Sequence, residues 1–240
     1  MPVNITDTGG GDPDLIPLHN DKRWTEFKDY VYKMIDQREA KYDKPLKEEL
    51  LAIWHEDQDI RNEAIEAWKK TGKENPIYDS LTKIIQYKDS IHLIKIAKIL
   101  DEQGWVGKDK VGVQANQTLW LVIQHSNLKT QQKYLPIMRN AVKEGKCEAR
   151  WLALTEDRIA LREGRKQIYG SQLNLNKETN KYYVAPLEDP DNVDKRRIGV
   201  GLEPIKEYLK QWDIIWNVEE YKKQLPELEL LNKVAQERKN

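Results

Sequence analysis

One helical stripe constrains the fold more than any other feature. From Leu46 to Trp68 the apolar residues Leu46, Leu50, Ile53, Trp54, Ala64 and Trp68 recur at helical spacing. A turn of about 100° per residue places all of them on one face. Asp57 falls within about 20° of Leu46 and Arg61 within about 60°, in the middle of that face. They stand four residues apart, the spacing at which helical side chains meet. Burying such charges costs several kcal/mol unless they are paired and hydrogen-bonded, so this helix must pack against something that receives them.

The pattern repeats along the chain. Trp24, Phe27, Val31, Met34 and Ile35 predict a first helix near 23–41. Asp43 and Pro45 open a second, to about residue 70, with a break at Thr71-Gly72-Lys73. A third, capped by Asp79 or Ser80 and ended by Gly104, carries His92 within the stripe Leu81, Ile85, Ile96, Ile99, with Asp89 at its edge. A fourth spans about 111–125 and sets His125 beside Thr118, Leu121 and Val122. A fifth, about 129–143, contains Pro136, which should kink it or mark a short first turn. A sixth, about 147–163, brackets Arg158 with Trp151, Leu154, Thr155 and Leu161, Asp157 lying at the margin.

The period then changes. Gln167 to Leu173 and Tyr182 to Ala185 are strand-like, joined by a polar turn over 176–181, which predicts a hairpin at about 166–186. Pro186 to Asp194 is expected to be loop. A short helix follows from Glu203-Pro204 to near Trp212, and a charged helical tail over 216–240 is interrupted at Pro226. The fold expected is mainly α, in the α+β sense: a multi-helix single domain over 21–215 with one small hairpin. Residues 1–20, with Gly9-Gly10-Gly11, Pro13 and Pro17, read as a flexible leader.

Composition narrows the function. Forty basic and forty acidic residues cancel, so no global field draws the chain to nucleic acid or to an anionic membrane. No apolar run approaches the roughly 20 residues of a membrane span. Eight Trp and eleven Tyr argue against disorder. The lone Cys147 excludes an internal disulfide and reads as a packing or surface cysteine. No basic start or apolar segment marks residues 1–20 as a signal peptide, so the protein is cytoplasmic or has lost an export signal. Phosphate-loop and dinucleotide fingerprints are absent, and no cofactor is expected.

Seven short motifs follow in order: Asp57-Gln58-Asp59-Ile60-Arg61; Asp89; Gly104-Trp105; Gln124-His125; Asp157-Arg158; Gln167 to Gln172; and Val193 to Arg197 with Gly201-Leu202. Together, over about residues 46–212, they resemble the bacterial family called domain of unknown function 6624. Ser171 stands where that family usually has Thr, and His92 where it often has Asn. The resemblance implies no established reaction; it singles out residues.

Those residues support three readings. In the first, an enzyme acts on a small polar or anionic substrate by hydrolase-like chemistry. His125 is its general acid/base, and Asp57 or Asp157 orients the ring. Arg61, Arg158, Arg196 and Arg197 hold a carboxylate or phosphate, helped by Gln58, Gln124, Gln167, Tyr169 and Gln172. Gly170 would let backbone approach a ligand closely. Ser171 as nucleophile lacks a G-x-S-x-G elbow. A metal version with His92, His125 and a carboxylate lacks any H-E-x-x-H or H-x-H spacing, and no metal is assigned. In the second, the same residues form a non-catalytic module for a polar peptide or anionic ligand. In the third, they are a buried polar network that specifies helix packing.

Overall fold

The computed structural model describes residues 13–71, 75–176, 179 and 181–237. The chain divides into two units, one up to Lys44 and one from Pro45 onward. In the first, a 3-10 turn, Pro13–Leu18, precedes helix α1, Trp24–Glu39. Trp24 is buried between the rings of His19 and Phe27, at 4.7 and 5.7 Å. Phe27 and Met34 of the expected stripe remain exposed. The first twelve residues of the expected leader lie outside the described residues.

The second unit is built on α2 (Lys44–Thr71), α3 (Pro76–Gln103), α4 (Lys108–Val111), α5 (Val113–His125), α6 (Leu128–Lys143) and α7 (Ala149–Arg162). The apolar face of α2 is buried as its periodicity requires: Leu46, Leu50 and Ile53 join Ile96 and Leu100 of α3, Leu119 and Ile123 of α5, Met138 of α6 and Trp151 of α7 in one core. Thr118 Oγ1 donates to the Leu50 carbonyl at 3.0 Å, tying α5 to α2.

Several boundaries differ from expectation for identifiable reasons. The cap of α3 is Asn75, not Asp79 or Ser80: its side chain accepts the Ile77 N–H at 2.9 Å, and Pro76 occupies the first helical position, where its missing N–H costs nothing. The fourth expected helix is α5, which starts at Val113 because Gly112 takes φ +81° and separates it from the short α4 before it. Pro136 lies inside an uninterrupted α6, flanked by the buried anchors Tyr134 and Met138. Their burial outweighs one lost backbone bond.

A second core follows. Strands β1 (Leu173–Asn176) and β2 (Lys181–Val184) pair antiparallel, Leu173 opposite Val184. Helix α8 (Val193–Gly199) begins in what reads as loop; α9 (Ile205–Lys210) and α10 (Val218–Glu237) complete the set. Val184, Leu187, Val193, Ile205, Leu209, Tyr221 and Leu228 pack together. The tail helix thus docks through Tyr221 and Leu228, and Pro226 does not interrupt it. The strand expected at Gln167–Gln172 is instead an irregular loop with one parallel bridge, Gln167 to Leu187. Described helices far outnumber the two short strands, so the chain is mainly α.

Candidate functional site

Asp57 sits mid-way along α2, 2% exposed. One turn later Arg61 returns to it, Nη2 to Oδ1 at 3.1 Å and Nε to Oδ2 at 3.2 Å. Gln58 Nε2 donates to Oδ2 at 2.6 Å. From α3, Asp89 takes a second hydrogen bond from Arg61 Nη2. His125, the last residue of α5, brings Nδ1 to 3.2 Å from Asp57 Oδ1. Three helices therefore meet in one charged cluster, α2 and α5 at the Asp57 carboxylate and α3 through Arg61.

Burial alone would push the Asp57 carboxyl up. Hydrogen bonds from His125 and Arg61, and their charge, more than reverse this and hold it well below the usual carboxylate range. An ionised carboxylate only accepts, so Nδ1 of His125 carries a proton, and in the neutral form of the ring the lone pair lies on Nε2. Nε2 has no protein partner among the described residues, and the side chain is 21% exposed.

Arg158 reaches the same end of α5 from α7. Its Nη1 donates to the Gln124 carbonyl at 2.8 Å and its Nε to Gln172 Oε1 at 3.1 Å. Among the described residues no carboxylate pairs with it. Burial, then the charges of Arg162 and Arg61, push its guanidinium down to about 10. One turn on, Arg162 Nη1 donates to the Ser126 carbonyl and to Gln131 Oε1. Sequence reasoning passed over Arg162, although its spacing of four from Arg158 on one helix was a usable signal.

The other expected residues serve the loop before the hairpin. Asp157, proposed as an alternative partner for His125, is fully buried and accepts the backbone N–H groups of Ile168 (2.7 Å), Tyr169 (2.9 Å) and Ser171 (3.0 Å). Burial pushes its carboxyl up against the pull of those donors. Its place is the loop, not the histidine. Gln167 is buried and spends both ends on backbone: Nε2 on the Gln172 and Ala185 carbonyls, Oε1 on the Gln172 N–H. Gln124 is buried, accepting from Thr155 Oγ1 at 2.9 Å. Gln172 meets Arg158 and Ser171. The Ser171 hydroxyl bonds Asp157 and Gln172 rather than His125.

Arg196 is consumed by Asp189 and by the carbonyls of Ile168, Glu188 and Asp189. Arg197 donates to the carbonyls of Glu203 and Tyr169. Tyr169 contributes its backbone to Asp157 and Arg197, and burial pushes its phenol up. Gly170 holds φ +67°, and a Cβ there would lie 2.8 Å from Ile205 Cδ1.

Asp57, Asp89 and His125 each offer an atom within 4.8 Å of the others, a donor set with the chemistry of a divalent-ion site. Arg61 already donates to both carboxylates, so one guanidinium offsets one of their two negative charges. His92 is not part of this group; its Nε2 lies 3.2 Å from Glu56 Oε2, and its Nδ1 is buried without a partner.

A family model described as a family of unknown function, DUF6624, matches residues 44–219. The chain belongs to this family. The DUF6624 match begins at the start of α2 and runs into α10, so it takes in the first core, the second core apart from Tyr221 and Leu228, and every residue of the groups above. No curated protein and no solved structure matches the chain. No helix among the described residues is long and apolar enough to cross a membrane.

Proposed function

We propose that this DUF6624 chain is an enzyme in which His125 moves protons for a small polar or anionic substrate, hydrolysis being the first reaction class to assay. The observation that supports it most is the pairing of His125 Nδ1 with buried Asp57 while Nε2 stays without a protein partner. Asp57 fixes the ring and its tautomer and balances the imidazolium that forms. In the hydrolytic form, Nε2 takes a proton from water, the resulting hydroxide attacks the acyl or phosphoryl centre, and the same Nε2–H is returned to the leaving group. Arg158 suits the substrate's anionic group because it has no carboxylate partner among the described residues and bonds the carbonyl of Gln124, the residue before His125. Arg61 does not, since two carboxylates already occupy it.

The test is a panel of chromogenic carboxylic and phosphoric esters turned over by the wild type, His125→Gln and Asp57→Asn. Loss of at least about 100-fold in kcat is expected for His125→Gln, with the fold intact by circular dichroism. Equal turnover in wild type and His125→Gln would end the catalytic reading. Binding of substrate-like anions that depends on Arg158, with no turnover, would instead favour a binding module.

A further inference from the structure

A cavity of about 430 Å³ lies between α7, the Ser171 loop, α8 and α9, lined among others by Arg150, Leu154, Arg197, Leu202, Tyr208 and Gln211. It shares no lining residue with the His125, Asp57, Arg61 and Asp89 group. Its unusual wall is Arg197, only 1% exposed. Nε donates to the Glu203 carbonyl at 2.6 Å and Nη1 to the Tyr169 carbonyl at 2.8 Å, while the guanidinium rests 5.0 Å from the centre of the Tyr208 ring. Nη2 has no protein partner among the described residues.

A guanidinium this deep normally meets a carboxylate, because desolvating the charge is expensive. None pairs with Arg197 among the described residues, and the nearby acids have other work. Asp194 accepts the Ile205 N–H, Asp157 accepts the loop amides, and Glu203 Oε1 takes Gln211 Nε2 at 3.3 Å. The Tyr208 hydroxyl donates to the Ser171 carbonyl, so it does not compete for an anion. Arg150 stands exposed on the same cavity, again without a carboxylate partner among the described residues. Among the lining residues two arginines stand against one carboxylate, Glu203; Asp194 and Asp157 also act on the Arg197 charge but lie outside the lining. Leu154, Leu202 and the Tyr208 ring give the rest of the wall an apolar character.

We infer that this cavity binds an organic acid, its single carboxylate on Arg197 and Arg150 and its aliphatic or aromatic body against Leu154, Leu202 and Tyr208. The volume is that of a small-molecule site. The inference is independent of the chemistry proposed at His125.

Calorimetric titration of the full chain with phenylacetate and hexanoate tests it, with 2-phenylethanol and acetate as the uncharged and bodiless controls. One acid should bind per chain, at least about tenfold more tightly than either control. Gln211→Glu adds a carboxylate to an exposed wall position and should weaken binding about tenfold or more. Arg197→Gln should abolish it. Where Arg197→Gln fails to fold, because two carbonyls lose their donor, Gln211→Glu and Arg150→Ala decide alone. His125→Gln should bind like the wild type. Absence of binding by both acids at millimolar concentration would overturn the site, as would equal binding of 2-phenylethanol or indifference to Gln211→Glu.

Discussion

Cys147 and the two central aspartates show how far surroundings, rather than residue type, set chemistry here. The Cys147 thiol lies in the first core, 6% exposed, and its Sγ donates to the Glu148 carbonyl. Burial, reinforced by the Glu148 charge, pushes it up to about 12. Only the thiolate attacks disulfides, and at pH 8 hardly any exists. Ellman's reagent should therefore modify native protein at least about 100-fold more slowly than denatured protein; comparable rates would mean the core opens there. Asp57 and Asp157 are both buried, yet one is hydrogen-bonded by Arg61 and His125 and the other by backbone amides. The first arrangement leaves a histidine nitrogen free for chemistry. The second leaves nothing free.

At the scale of elements, the least regular segment is among the most tightly specified. The loop from Gln167 to Gln172 forms no strand, but the Asp157 carboxylate gathers three of its amides and the Gln167 side chain closes it on Ala185. Asp157→Asn turns an acceptor into a donor facing Tyr169 or Ser171. It should cost about 2–4 kcal/mol in urea unfolding, since buried N–H groups lose their partner. It should also speed amide hydrogen exchange at Ile168, Tyr169 and Ser171; unchanged exchange would mean the carboxylate is not the clamp. This explains what was legible in the chain. The α2 stripe, with Asp57 and Arg61 on it, follows from spacing alone, because both partners lie on one helix. The loop's order comes from a side chain ten or more residues upstream, so its β-rich composition reads as strand. Pro136 misleads for a related reason: a local rule meets two buried anchors, and the anchors win. The close packing of Gly170 on Ile205 is visible only in three dimensions.

For the molecule as a whole, a net charge of zero says little about stability, because the few buried charges act with opposite signs. The folded state holds the Asp57 carboxyl below its ordinary value, so it binds fewer protons than the unfolded chain in the acid range. Its contribution is complete above the unfolded value of about 4 and is lost as pH falls below it. Asp157 works the other way. Its folded value is raised, so its contribution is present below about pH 4 and declines as pH rises through the raised value. Replacing each separately pulls the two apart. Urea midpoints at pH 7, 5 and 3 should show the wild type and Asp57→Asn far apart at neutral pH and closer together at pH 3, where the unfolded carboxyl is largely protonated and the folded one still ionised. With Asp157→Asn the loss of stability on acidification should be steeper than in wild type, because the opposing group is gone. A constant offset between wild type and Asp57→Asn at all three pH values would mean that Arg61 and His125 do not hold that carboxylate ionised. The arrangement proposed for proton transfer would then lose its electrostatic basis, whatever the variant's activity.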